Sequence, residues 1–228
     1  MKILVSWSSG KDSAWTLLAL RREGVGEIGG LLTSVNEAAA RVSMHGVRVE
    51  ILRAQAKAAG LPLITVPLPW PCSNEIYEGR MRVAVGQAVA EGFTHVAFGD
   101  LFLEDVRKYR EDRLAGTGLT PLFPLWGRPT RELAVEMIEG GLRARVVCLD
   151  PRVLPRELIG SEFDARFLAA LPASVDPCAE RGEFHTCVTD GPMFTSAIAV
   201  EPGEVVERDG FVFADLILVP DLKTRPTP

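Results

Sequence analysis

The sequence predicts an α/β fold, a mostly parallel sheet with helices on both faces followed by a smaller C-terminal α+β subdomain. Three observations predict it. Short leucine-rich or β-branched runs alternate with helix-period segments through the N-terminal half. A proline-punctuated stretch from about Pro121 breaks that rhythm, and the C-terminal segment switches to strict apolar–polar alternation.

Lys2–Ser6 is a leucine and β-branched run, and Ala14, Leu17 and Leu18 follow at helical spacing, which reads as strand, loop, helix. Ile28–Thr33 is a second strand. Ser34-Val35-Asn36-Glu37 has the form of a capping box, and Val47, Ile51, Ala54 and Ala58 recur at helical intervals before Gly60. Leu63–Val66 is a third strand. After the proline-rich Pro67–Pro71, Asn74 is placed to cap a helix through Val89 whose inner face carries Ile76, Val83 and Ala84. His95–Phe98 is a fourth strand. Alternation of this kind favours parallel pairing with right-handed crossovers, and such sheets bind ligands at the carboxyl ends of their strands.

Pro124, Pro129, Pro151 and Pro155 then punctuate a helix near Thr130–Glu139 and a strand near Ala144–Leu149. The expected division is therefore a nucleotide-binding domain at 1–125, a C-terminal subdomain at 126–220 and a frayed tail at 221–228. Ser196–Val200, Glu204–Glu207 and Phe211–Val219 alternate around Pro202-Gly203 and Asp209-Gly210, and the second dipeptide signals a hairpin.

At 228 residues, 47% hydrophobic and 24% charged, the chain has the profile of a folded globular protein. Its net charge of −5 argues against a surface devoted to nucleic acid. Cys72, Cys148, Cys178 and Cys187 form no C-x-x-C pair, so neither a zinc knuckle nor a redox motif is supported, and a reducing compartment suits them. The N-terminus turns polar too early for a signal peptide and no apolar run is long enough to span a bilayer. A cytoplasmic protein is expected.

The chemical signal is Ser8-Ser9-Gly10-Lys11-Asp12-Ser13, between the first strand and the first helix. Small residues there let backbone N–H groups face an anion, the helix end adds positive charge, and the Lys11 ammonium is placed to neutralise phosphate. A Walker A loop would need Gly at position 5 and Ser or Thr at position 12, where the chain has Val5 and Asp12. Asp12 inside a phosphate loop points to a Mg²⁺ between carboxylate and phosphate. Gly99-Asp100 falls at the carboxyl end of the fourth strand, where a ligand-facing carboxylate would sit. Lys108 and Arg113 read as a solvated helix face, whereas Arg107 and Arg110 are candidates for holding an anion. Glu183 and His185, two apart, would share a face of an extended segment. His45 is a candidate lining residue and His95 a structural one.

Ser8–Ser13 resembles the Ser-Gly-Gly-x-Asp-Ser loop of the N-type ATP pyrophosphatases, with Ser9 in place of one glycine. Leu31-Leu32-Thr33, Met44-His45, Gly99-Asp100, Arg107–Arg110, Pro124-Leu125-Trp126 and the run from Gly182-Glu183-Phe184-His185-Thr186 to Asp190-Gly191-Pro192 resemble diphthine–ammonia ligase. Ser6-Trp7-Ser8-Ser9 and Pro69–Glu75 are similar to shorter bacterial-type members. The resemblance implies the Rossmann-like HUP fold and cleavage of ATP to AMP and pyrophosphate through adenylation of a carboxylate that ammonia displaces. It implies ATP held by Ser6, Ser8–Ser13, Thr33, Gly99 and Asp100, with Mg²⁺ on Asp12. Lys11, Asp12, Glu183 and His185 would be the catalytic groups, and His45, Arg107, Arg110, Thr186 and Asp190 would face the acceptor. Expected partners are ATP or AMP, a carboxylate-bearing acceptor, ammonia, and a second copy in a homodimer. A nucleotide sensor without turnover and a tRNA-modifying enzyme with the same loop are the competing readings.

Overall fold

The computed structural model describes residues 1–220, so the expected tail lies outside the described residues. In chain order the first half comprises β1 (Lys2–Ser6), α1 (Lys11–Glu23), β2 (Glu27–Asn36), β3 (Arg41–Val42), α2 (Val49–Ala59), β4 (Leu63–Leu68), α3 (Asn74–Ala90), β5 (His95–Ala97), α4 (Glu104–Leu114) and β6 (Thr120–Leu122). β1 lies between β2 and β5, with β4 beyond β2 and β6 beyond β5, all parallel. Ile3, Leu4 and Val5 have no exposed surface, the burial on both faces that explains an unbroken apolar run. Antiparallel β3 pairs only with Val35 and Asn36, the part of β2 that runs on past its pairing with β1.

Helices cover both faces. One core cluster joins Ile3 and Val5 to Leu17 and Leu20 of α1 and Ile51 and Leu52 of α2. The other packs Leu4, Leu32 and Val96 against Ala84 and Ala88 of α3 and Leu114 of α4. Burial of each leucine or isoleucine contributes about 1.5–3 kcal/mol.

The second half contains α5 (Thr130–Glu139), β7 (Arg143–Leu149), α6 (Ala165–Ala170), β8 (Phe184–Asp190), β9 (Val200–Arg208) and β10 (Phe211–Leu218). Its antiparallel sheet runs β8-β7-β10-β9. Asp209 and Gly210 both take positive φ, 52° and 82°, in the hairpin turn between β9 and β10. Leu133, Met137, Val146, Leu149, Phe184 and Val212 belong to the same core cluster as Ile3 and Leu17, so the two sheets share one core.

Three local expectations are corrected. Ser34–Asn36 continue β2 and cap nothing, because pairing with β4 carries the strand through Asn36; α2 starts only at Val49, after the turn that holds β3. The cap of α3 is Ser73, whose hydroxyl accepts from the Ile76 N–H, and Asn74 is the first helical residue. Ile76 and Val83 face outward, 42% and 60% exposed, while Tyr77, Met81, Ala84 and Ala88 form the stripe packed on the sheet.

Candidate active site

The loop leaves the carboxyl end of β1 and is clamped from two distant segments. The Trp7 indole N–H donates to Gln55 Oε1 at 3.0 Å, and Gln55 Nε2 donates to the carbonyls of Ser9 at 3.2 Å and Val188 at 2.7 Å. The Val188 N–H donates to the Ser9 carbonyl at 2.9 Å and the Lys11 N–H to Thr186 Oγ1 at 3.0 Å. Strand β8 is thereby laced along the loop. The Ser13 hydroxyl donates to the Gly10 carbonyl at 3.0 Å and accepts the Ser8 N–H at 3.3 Å, closing the turn into α1. Lys11 aside, the amides of the first helical turn have no carbonyl one turn back, which is what an anion at a helix N-terminus requires.

Ser9 holds φ 70° and is fully buried, with its hydroxyl unpartnered among the described residues. Left-handed backbone suits glycine, so the departure from the glycine-bearing pattern falls on a residue under strain. Thr33, on β2 just past the level of Ser6, is likewise buried with an unpartnered hydroxyl.

The structure gives Lys11 a different partner from phosphate. Its ammonium donates to Asp12 Oδ2 at 2.9 Å and to the Cys178 carbonyl, and lies 5.3 Å from the centre of the Phe184 ring. The side chain is therefore turned toward the C-terminal half, where the ammonium lies over the Phe163 and Phe184 rings while Asp12 compensates its charge. Burial pulls the Lys11 ammonium down, but Asp12, Cys178 and Asp176 outweigh it and the net shift is upward, so it stays charged. Asp12 keeps one oxygen, Oδ1, buried and unpartnered. Burial also pushes its carboxyl up, against the pull of Lys11.

His45 and His185 come together. Their rings lie 4.5 Å apart, and His45 Nδ1 is 3.3 Å from the Thr186 carbonyl. His45 rests on the loop itself, since a Cβ added to Gly10 would fall 2.8 Å from His45 Cε1. Burial first, then His185 and Lys11, hold the His45 imidazole well below the usual histidine range. Burial and Lys11 hold His185 down to about 4. Both rings are therefore neutral near pH 7, each with one ring nitrogen free to accept a hydrogen bond. Burial pushes the Cys187 thiol up to about 12, so it supplies no thiolate nucleophile here.

Other expected residues are placed less simply. Glu183 precedes β8 and turns back onto the 176–182 loop, accepting the N–H groups of Asp176 at 3.2 Å and Arg181 at 3.1 Å. It shapes the loop whose Cys178 carbonyl receives Lys11, and its oxygens are occupied by amides. Asp190 sits at the far end of β8, roughly 16 Å along the strand from His185. It accepts the Gly191 N–H and does not join the histidines. Asp100 is gripped by Arg110 through both oxygens, and the Arg110 guanidinium lies 4.3 Å from the centre of the Phe98 ring. Arg107 pairs with Glu111 and lies 4.8 Å from the Phe123 and Trp126 rings, with its Nη groups outside that pair. Gly99 touches Asp12.

Sequence reasoning missed Gln55, Asp176 and Glu180. Gln55 interrupts the stripe Ile51, Leu52, Ala56, Ala59 with a fully buried amide, and a polar residue on an apolar helix face was the available signal. Glu180 accepts the Leu101 N–H at 2.7 Å and the Phe102 N–H at 3.3 Å, tying the C-terminal half to the loop after β5.

Family models match both halves of the chain. Residues 1–118 match the diphthamide synthase N-terminal domain and residues 129–215 the diphthamide synthase C-terminal domain. The chain belongs to the diphthamide synthase family. It is 26% identical to the diphthine–ammonia ligase of Bos taurus over 174 residues, 70% of this chain and 65% of that protein. It is 30% identical to the human diphthine–ammonia ligase over 118 residues, 49% of this chain and 44% of that one. The Schizosaccharomyces pombe enzyme is 28% identical over 113 residues, with 19% of its length covered. The chain thus spans less than two thirds of the diphthamide synthase relatives it matches. A predicted subunit of a tRNA methyltransferase from Methanocaldococcus jannaschii aligns over 64% of this chain and 80% of its own at 15% identity, with a TM-score of 0.44. No helix among the described residues is long and apolar enough to cross a membrane.

Proposed function

We propose that this member of the diphthamide synthase family is an ATP-dependent amide-forming ligase that adenylates a carboxylate with release of pyrophosphate and then passes the acyl group to ammonia with release of AMP. The observation that carries the reading is the Ser8–Ser13 loop at a parallel-sheet switch, with free first-turn amides above it and the unpartnered Asp12 Oδ1 and Ser9 Oγ buried within it. The relatives' name, diphthine–ammonia ligase, supplies the class of reaction; this chain's acceptor is defined only as a carboxylate.

The nucleotide lies over the loop and Thr33, with residues 1–125 forming its domain and 126–220 the acceptor-facing subdomain. Asp12 Oδ1 suits a Mg²⁺, a hard cation that takes one or two carboxylates and completes its shell with phosphate and water. Bound there, Mg²⁺ would neutralise charge developing on the phosphates. Lys11 holds Asp12 and the Cys178 segment in place, which leaves phosphate recognition to backbone amides. His185, neutral and beside the loop, accepts a hydrogen bond from the attacking ammonia and orients it, with His45 packed alongside.

The test is incubation of the protein with Mg²⁺ and α-labelled ATP, with and without ammonium and a carboxylate-rich extract. Labelled AMP and pyrophosphate, dependent on extract, are expected, and Asp12→Ala removes them. ADP as product contradicts the reading, while bound but intact ATP under every condition would make the protein a nucleotide sensor.

A further inference from the structure

The segment that carries His45 to the loop is a short excursion between β3 and α2, and its tip is open to solvent, with Met44 71% exposed. Its stems, Arg41 and Arg48, face each other in an isolated antiparallel bridge. Both reach across to one carboxylate of the other sheet, Asp215 on β10. Arg41 Nη1 donates to Asp215 Oδ1 at 2.8 Å and, from the same nitrogen, to the Gly46 carbonyl at 2.7 Å. Arg48 grips both oxygens, with Nε 3.1 Å from Oδ1 and Nη2 2.6 Å from Oδ2. The Asp215 side chain is only 14% exposed, and it is seated by Gly203 on β9, where an added Cβ would fall 3.0 Å from the Asp215 Cβ. Gly46 rests against Phe213 of the same strand. Bidentate arginine–carboxylate pairs fix orientation as well as distance.

The hairpin is thus held at its stems by β10 and delivers at its tip the ring that sits on Gly10, beside His185. We propose that Asp215 is a positioning residue, whose grip on Arg41 and Arg48 holds His45 over the phosphate loop. This rests on the reading of that loop as the ligase site, but the placement of His45 is testable without it. The opposing possibility is that Asp215 only staples the two sheets, in which case its loss lowers stability and leaves the His45 ring where it is.

The chain has three histidines, His45, His95 and His185, so each ring can be followed by NMR in the full-length protein across a pH titration. In Asp215→Asn the His45 resonance is expected to move from its depressed titration toward the ordinary histidine range, with His95 unchanged. Arg48→Gln approaches the same grip from the other side and should move His45 likewise, which protects the test if one variant folds poorly. Unchanged His45 titration in a folded variant of either kind overturns the proposal. In the labelled-ATP assay, Asp215→Asn is expected to slow AMP formation about tenfold in the native background and less than about twofold in His45→Ala, since it acts through that ring. Equal losses in both backgrounds also overturn it. Absence of AMP formation by the native protein would sink the ligase reading instead, and the His45 titration would still decide the positioning.

Discussion

Gly99 and Asp12 meet backbone to backbone, for a Cβ placed on Gly99 would lie 2.9 Å from the Asp12 carbonyl carbon and 3.1 Å from its Cβ. The carboxyl end of β5 and the first turn of α1 approach this closely only because position 99 lacks a side chain. Gly99→Ala has no flexible neighbour to push aside, so the strand end or the helix start must shift. We expect a loss of about 1–3 kcal/mol and, if the proposed site is right, a weaker grip on ATP, because the displaced amides are those proposed to receive the phosphates. Thermal melting and nucleotide titration check this; a variant matching the native protein in both would mean the contact relaxes freely.

Ser9 is the converse case, a side chain where glycine fits better. Its left-handed backbone costs about 1–2 kcal/mol, and its buried hydroxyl finds no partner among the described residues. Glycine gains flexibility in the unfolded chain, which offsets part of the relief. Ser9→Gly is expected to raise stability by about 1 kcal/mol in denaturant melts without nucleotide. If the hydroxyl instead serves bound phosphate, the same variant weakens ATP binding while stabilising the free protein.

The loop was legible because its residues are consecutive and sit between a strand and a helix of clear period. The clamps on it were not legible, because Gln55, Thr186 and Cys178 act from far along the chain, and the contacts through the Ser9, Val188 and Cys178 carbonyls use groups that any residue could supply. Lys11 shows the same blindness at one residue: a lysine in a phosphate loop points to phosphate, and only the Phe163–Phe184 wall and the Cys178 carbonyl turn it away. Ser34–Glu37 misled for another reason. Capping residues are a local preference, and the long pairing of β2 with β4 overrode it. The β9–β10 hairpin was readable from Asp209-Gly210 alone, since few residues other than such a pair tolerate the turn.

Lys11 and Asp12 form an ion pair in which the lysine is buried and the Asp12 side chain keeps 29% of its surface exposed, and each is left uncompensated when the other is removed. Lys11→Met strands Asp12, and a loss of about 2–3 kcal/mol is expected, below the range for a fully enclosed pair. The double change Lys11→Met with Asp12→Asn leaves no buried charge and should cost less than the single Lys11→Met. Urea unfolding of the native protein, Lys11→Met, Asp12→Asn and the double variant completes the cycle. Additive losses would show that the two side chains do not depend on one another.

His185 sets a pH window for stability that differs from that of Asp215. Its folded titration lies at about 4 against an ordinary 6.5, so between those values the unfolded chain binds the extra proton and acid favours unfolding. The stabilising contribution is therefore full above pH 6.5 and falls away as the pH drops toward 4. A shift of that size corresponds to roughly 3 kcal/mol, an upper figure because the ring keeps some solvent contact. Burial raises the Asp215 carboxyl but Arg48 and Arg41 outweigh it, holding it at about 2 against 3.8. That stability is present above pH 3.8 and is lost only as the pH falls toward 2. His185→Gln should then remove one share of the decline in urea midpoint between pH 6.5 and 4 and leave the share that the depressed His45 contributes, whereas Asp215→Asn should leave both histidine shares in place and remove a loss at lower pH. If His185→Gln and the native protein lose stability in parallel from pH 6.5 to 4, the folded imidazole titrates as the unfolded one does and burial and Lys11 do not hold it down.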